Sequence, residues 1–238
     1  MPYRRLPNTD VSRIKSLKKA IEWDLSLPFP NRVISSETLE VASIFLSAFE
    51  NAHDTYTTNF QAQIRSSKTL QNLLKNAKLY VSHFIQVLNF SVIRKEIDAG
   101  LKLLYGLEPH NYTVPELSSD NAILEWGEKI ILGEKARINK GGTALYNPPI
   151  AKVQVHYEMF KTAYHNQKML QKNTNRTLSN LSSLRIKADE IICNIWNQVE
   201  EKYANLDLKQ RLEKCKQYGL IYYYRKGEQK LIESDEIN

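Results

Sequence analysis

The sequence predicts an all-α protein. The expected fold is an antiparallel four-helix bundle of two repeated helical hairpins, with a short N-terminal helix, a helical connector and a small C-terminal β-hairpin. Three observations predict it. The first is an internal duplication: residues 49 to 88 laid on 160 to 199 put Phe49 on Phe160, Ala52 on Ala163, Arg65 on Arg176, Leu70 on Leu181, Leu73 on Leu184 and Ala77 on Ala188. A repeat of this length marks one supersecondary unit used twice. The second is apolar spacing of three and four in both copies, Leu70, Leu73, Ala77, Val81, Phe84, Leu88 and Leu181, Leu184, Ala188, Ile192, Ile195, Val199, the seam of antiparallel helix packing. The third is the absence of Gly and Pro from Asn31 to Ala99.

In chain order, Asn8-Thr9-Asp10 offers a cap, and Ile14, Leu17, Ile21 and Leu25 follow at helical spacing until Pro28 and Pro30; residues 1–35 read as an N-terminal arm with a short amphipathic helix. Ser35-Ser36-Glu37 opens the next helix, whose seam is Leu39, Ala42, Phe45, Phe49, Ala52 and Tyr56. A single helix from there to Ala99 would run on the order of 100 Å, so a break is expected. Arg65-Ser66-Ser67-Lys68-Thr69 is the polar, cap-rich candidate, and Asn173-Thr174-Asn175-Arg176-Thr177 is its counterpart in the second copy. Residues 36–107 and 150–220 then become the two hairpins, each ending in the same tripeptide, Tyr105-Gly106-Leu107 and Tyr218-Gly219-Leu220.

Residues 108–149 form the connector. Ser118-Ser119-Asp120 caps a helix carrying Ile123, Leu124, Ile130 and Ile131, Gly141-Gly142-Thr143 makes a turn, and Asn147-Pro148-Pro149 prepares the next long helix. In residues 221–238, Leu220 to Tyr224 and Gln229 to Ile232 flank Lys226-Gly227 as a small β-hairpin. Residues 1–238 are thus read as one domain. The duplicated pattern of spaced Phe and Ala, an Arg-Thr break, a Leu-rich second helix and a Gly-Leu ending resembles helical-hairpin segments of uncharacterised bacterial proteins, over roughly residues 36 to 107 and 150 to 220. The resemblance implies neither a function nor a site residue.

Composition bounds the function. With 42% hydrophobic residues, eight Gly and eight Pro, the chain is neither disordered nor fibrous. The N-terminus has no apolar core of a secretory signal, and the most apolar window, Leu79 to Ile93, is too short and too interrupted to span a bilayer. Two cysteines, Cys193 and Cys215, fit a reducing compartment, and a cytoplasmic location is expected. The net charge of +7 is unevenly spread: six basic residues and no acid lie between Thr55 and Lys95, and Glu158 is the lone acid from Lys135 to Lys187.

No catalytic constellation emerges, so no enzyme is expected. Glu50-x-x-His53 carries half of a di-metal bundle motif, but Lys161 and Tyr164 stand at the matching positions of the second copy; no metal and no cofactor are expected. His83 and His156 lack Cys, Asp or Glu partners at ligand spacing, and His110 and His165 read as loop and surface residues. Gly141-Gly142-Thr143 lacks the Lys of a phosphate loop. The leading expectation is therefore an interaction or scaffold protein with protein partners and no membrane. An alternative is weak nucleic-acid or polyanion binding through Arg65, Lys68, Lys168, Lys172 and Arg176, brought together at the hairpin tips. A second alternative is a small-molecule site roofed by the connector around Trp126, with Glu125, Glu128 and Glu134 as polar groups.

Overall fold

A computed structural model describes residues 3–225. The chain is mostly helical: α1 (Asp10–Ser26), α2 (Ser36–Ile93), α3 (Asp120–Asn139), α4 (Ile150–Lys202) and α5 (Leu208–Gln217), with two short 3-10 helices at Phe29–Asn31 and Ala99–Tyr105. Strands β1 (Tyr3–Arg4) and β2 (Tyr222–Tyr223) make one small antiparallel pair, with Tyr3 opposite Tyr223. None of the described helices is long and apolar enough to cross a membrane.

The capped starts follow the sequence. Thr9 caps α1 by accepting from the Ser12 amide at 3.1 Å, with Asp10 in the first turn. Ser119 caps α3 by accepting from the Ala122 amide at 3.1 Å. Such caps satisfy amides that have no partner inside the helix.

The expected helix breaks do not form. α2 runs unbroken for 58 residues and α4 for 53, through Arg65–Thr69 and through Asn173–Thr177. Neither copy is therefore a hairpin. The hydroxyls expected to cap new helix starts bond back onto their own helix instead, Thr69 Oγ1 to the Arg65 carbonyl at 3.4 Å and Thr177 Oγ1 to the Thr174 carbonyl at 3.0 Å. With no Gly or Pro present, no residue forces a stop.

The first strand expected of the C-terminal β-hairpin has a partner that the local sequence does not predict. Tyr222 and Tyr223 pair with Arg4 and Tyr3 at the other end of the chain, and the Arg5 amide donates to the Ile221 carbonyl at 2.9 Å. The second strand expected at Gln229 to Ile232 lies outside the described residues.

The chain forms two compact units. One joins the chain up to Asn59 with the chain from Thr174 onward; the other is Phe60–Asn173. The first unit packs α1, the start of α2, the end of α4 and α5 around Leu17, Ile21, Phe45, Phe49, Ile192, Trp196, Val199 and Leu220. Fully burying side chains of this size stabilises by about 1.5–3 kcal/mol each. α2 and α4 run antiparallel here: Thr38 Oγ1 accepts from Gln198 Nε2 at 2.8 Å, while further along α2 the Phe45 ring meets Lys187. Two bidentate ion pairs tie α1 to α4, Arg13 with Asp189 at 2.8 and 2.9 Å and Arg185 with Asp10 at 2.7 and 2.8 Å.

The second unit packs the end of α2, the Ala99–Tyr105 3-10 helix, α3 and the start of α4. Its core includes Val81, Phe84, Ile85, Leu88, Ile123, Ile130, Val153 and Phe160. α2 and α4 touch side by side where the Tyr80 and His156 rings stack 4.1 Å apart.

Candidate functional site

Each unit contains a buried polar knot built on one of the repeated tripeptides. In both, the glycine takes a left-handed conformation, φ 70° at Gly106 and 83° at Gly219, which a side-chain-bearing residue adopts only with strain. This turn buries the preceding tyrosine and the following leucine. In the first unit the Tyr218 hydroxyl donates to Asp24 Oδ1 at 3.2 Å, and the Val33 and Ile34 amides donate to the same oxygen at 2.8 and 3.1 Å. In the second unit the Tyr105 hydroxyl donates to Glu134 Oε2, and the Leu145 amide donates to Glu134 Oε1 at 3.1 Å. Both acids therefore fasten the segment that leads into a long helix.

The second knot adds an arginine. Arg137, one turn along α3 from Glu134, donates through Nη2 to Glu134 Oε1 at 2.8 Å and to the Thr143 carbonyl at 2.7 Å, and through Nε to Glu134 Oε2 at 3.0 Å. Burial alone would push the Glu134 carboxyl up, but the bonds from Arg137, Tyr105 and the Leu145 amide outweigh it and hold the group below its usual value. Burial together with the bond to Glu134 pushes the Tyr105 hydroxyl well above the usual tyrosine range. Glu134 is therefore an ionised acceptor at neutral pH, and Tyr105 a neutral donor.

A cavity of about 690 Å³ opens beside this knot, lined by Val87, Ser91, Arg94, Glu96, Ile97, Asp98, Leu101, Arg137 and the 141–147 segment. It lies against the connector, but not under Trp126. Trp126 lines a separate cleft of about 290 Å³, with Lys129 Nζ 4.6 Å from its ring centre. Of the three acids expected to serve a pocket, Glu125 pairs with Lys129 at 2.5 Å, Glu128 is exposed, and Glu134 is held in the knot.

The five expected polyanion contacts are all exposed helix residues. Arg65, Lys68, Lys168 and Lys172 belong to the second unit and Arg176 to the first, so the hairpin tip meant to gather them does not exist. Lys168 Nζ lies 5.2 Å from the Tyr164 ring centre. Glu50 is bound by Lys18 at 2.9 Å, and His53 Nδ1 lies 3.5 Å from Asp54 Oδ1. Both line an open pocket of about 760 Å³ with Lys15 and Lys18. Among the described residues, no group of three or more His, Cys, Asp or Glu side chains could hold a metal ion.

The outer face of the second unit carries a different signal. On the side of α2 away from the core, Leu79, His83, Gln86, Phe90 and Ile93 follow at alternating spacings of four and three, and all are exposed, Leu79 at 60% and Phe90 at 57%. On α4, Val155, Met159 and Met169 are exposed as well, Met169 at 64%. Within this unit α2 and α4 contribute eight basic residues (Arg65, Lys68, Lys75, Lys78, Lys152, Lys161, Lys168, Lys172) and one acid, Glu158. That surplus of seven equals the net charge of the whole chain, +7.

The charge asymmetry was legible in the sequence. The buried Tyr105–Glu134–Arg137 knot was not, although the repeated Tyr-Gly-Leu pointed at two of its neighbourhoods. Comparison of the chain with family models, with curated proteins and with solved structures gives no match.

Proposed function

We propose that this protein is a non-enzymatic helical interaction module, whose second unit takes an acidic amphipathic helix of another protein on its outer α2–α4 face. One observation carries the reading: large apolar side chains at helix-pairing spacing stand exposed on α2, and the α2 and α4 segments of this unit carry eight basic residues against one acid. Exposed apolar residues scattered singly are ordinary, but an ordered stripe is a contact surface. A bare phosphate backbone would use the lysines and leave Leu79, Phe90, Ile93 and Met169 in water. An amphipathic helix with acidic flanks uses both.

The duplication fits a module built by repetition. In this reading α1, α2 and the Ala99–Tyr105 helix form one copy, and α3, α4 and α5 the other. Each unit is then a four-helix cluster drawing segments from both.

The test is fluorescence anisotropy with three labelled probes: a designed Leu/Glu amphipathic helix, its Leu/Lys counterpart and a single-stranded oligonucleotide. The acidic helix is expected to bind at physiological salt, and the Leu79→Glu/Phe90→Glu variant to weaken it about tenfold or more, the loss of one or two buried anchors. The oligonucleotide is expected to bind at low salt and release by physiological salt, because few phosphates are contacted. Retention of the oligonucleotide at physiological salt without retention of the acidic helix would replace this reading with a nucleic-acid function.

A further inference from the structure

The two polar knots differ in one component, an arginine. In the first unit, Asp24 is fastened by two backbone amides and Tyr218, with no arginine among its partners. In the second unit, Glu134 already has the equivalent partners in the Leu145 amide and Tyr105, yet Arg137 is added at 2% exposure. Burying a guanidinium is costly even when it is paired.

Arg137 uses its Nε and Nη2 within the knot and leaves Nη1 over. Among the described residues that nitrogen has no acceptor, and it is not sealed from solvent; its residue lines the 690 Å³ cavity. Access to it depends on Gly142, where a Cβ would sit 2.7 Å from Nη1. A buried, pre-oriented donor on a residue that lines a cavity, beside a glycine that leaves it uncovered, is suited to a ligand contact.

We propose that this cavity binds a zwitterionic amino acid with an apolar side chain, its carboxylate accepting from Arg137 Nη1. The charge balance of the lining selects the class. Glu134 neutralises Arg137, and Glu96 neutralises Arg94 through bonds of 2.6 and 2.9 Å. Asp98 remains as the unpaired charge of the lining; only its Oδ1 is engaged, by the Gly100 amide at 2.8 Å. With Glu134 counted behind Arg137, the site carries one net negative charge, which disfavours a simple anion. A zwitterion offers its ammonium to Asp98 and leaves its side chain for Val87, Ile97, Leu101 and Ala144.

This site is independent of the outer face, and its test reads different residues. L-leucine, leucinamide (no carboxylate) and 4-methylpentanoate (no ammonium) are titrated into the full-length protein to about 10 mM, above a millimolar dissociation constant. The Gly141, Gly142 and Leu145 amide signals are followed by NMR. Leucine is expected to shift them and to bind about tenfold more tightly than either analogue. Gly142→Val should abolish the shift by covering Nη1. Ala144→Glu, on an exposed part of the lining, should weaken leucine about tenfold without touching the knot, and serves if the valine variant fails to fold. No shift with leucine, equal binding by leucinamide or by 4-methylpentanoate, or an unchanged affinity in Ala144→Glu would each overturn the proposal.

Discussion

Tyr105 and Tyr218 perform the same task with unequal support. Each donates its hydroxyl to a buried carboxyl group, but Glu134 also holds a bidentate arginine, whereas Asp24 has no cationic partner and its Oδ2 is buried without a hydrogen bond. A hydrogen bond to a charged group contributes about 1.5–3 kcal/mol, and an abandoned buried acceptor costs more when nothing else compensates it. Tyr218→Phe is therefore expected to destabilise more than Tyr105→Phe, by about 1 kcal/mol within that range. Urea unfolding of the two variants checks this; the reverse order would show that the arginine does not share the load. Lys102 is a second lesson at this scale. Its ammonium is buried, donates to the Asn111 carbonyl at 2.5 Å and sits 4.6 Å from the Tyr112 ring centre, and burial lowers its pKa. Nothing in the sequence separates it from a surface lysine, because its partners come from a turn that only the fold supplies.

For the elements, local signals were legible and competition between equal signals was not. The Thr9 and Ser119 caps, the apolar seams and the stop before Pro28 each rest on a few neighbouring residues, and each formed. The serine and threonine runs at Arg65–Thr69 and Asn173–Thr177 could either cap a new helix or bond back to their own, and Thr69 and Thr177 do the second. The pairing of Tyr222 and Tyr223 with β1 was not legible for another reason. Tyr222 had an in-sequence partner available, but β1 lies at the far end of the chain, beyond any local pattern. Helix continuity makes a sharp prediction. A loop at residues 65–69 would accept proline, whereas in the interior of α2 Ser67→Pro removes a backbone bond and clashes with the preceding turn, costing about 3 kcal/mol or more. Circular dichroism and thermal melting report the result; a variant with unchanged helicity and melting temperature would restore the break.

Across the whole molecule, the balance of charges sets the response to acid. Asp10 in the first unit and Glu134 in the second are both held below their ordinary values of 3.8 and 4.5, Asp10 chiefly by its bonds from Arg185, Glu134 by bonds that overcome its burial. A carboxylate whose folded pKa is depressed contributes stability that is complete above its unfolded value and fades as pH falls through the folded one. Both contributions are therefore intact at pH 7 and fade below about pH 4.5, where the other carboxylates also lose charge and leave the basic outer face unopposed. Replacing Glu134 by Gln keeps its shape but removes the charge opposite Arg137, and breaking a buried pair costs about 3–5 kcal/mol. The variant is thus expected to melt well below the parent at pH 7, and the gap is expected to narrow towards pH 3, as the unfolded parent takes up the proton that its folded state resists. Asp10→Asn should show the same convergence with a smaller gap, since its ion pair is partly exposed to solvent. Thermal melts at pH 7, 5 and 3 decide it: a gap that stays constant across the series would mean that Glu134 stabilises by shape and hydrogen bonding alone.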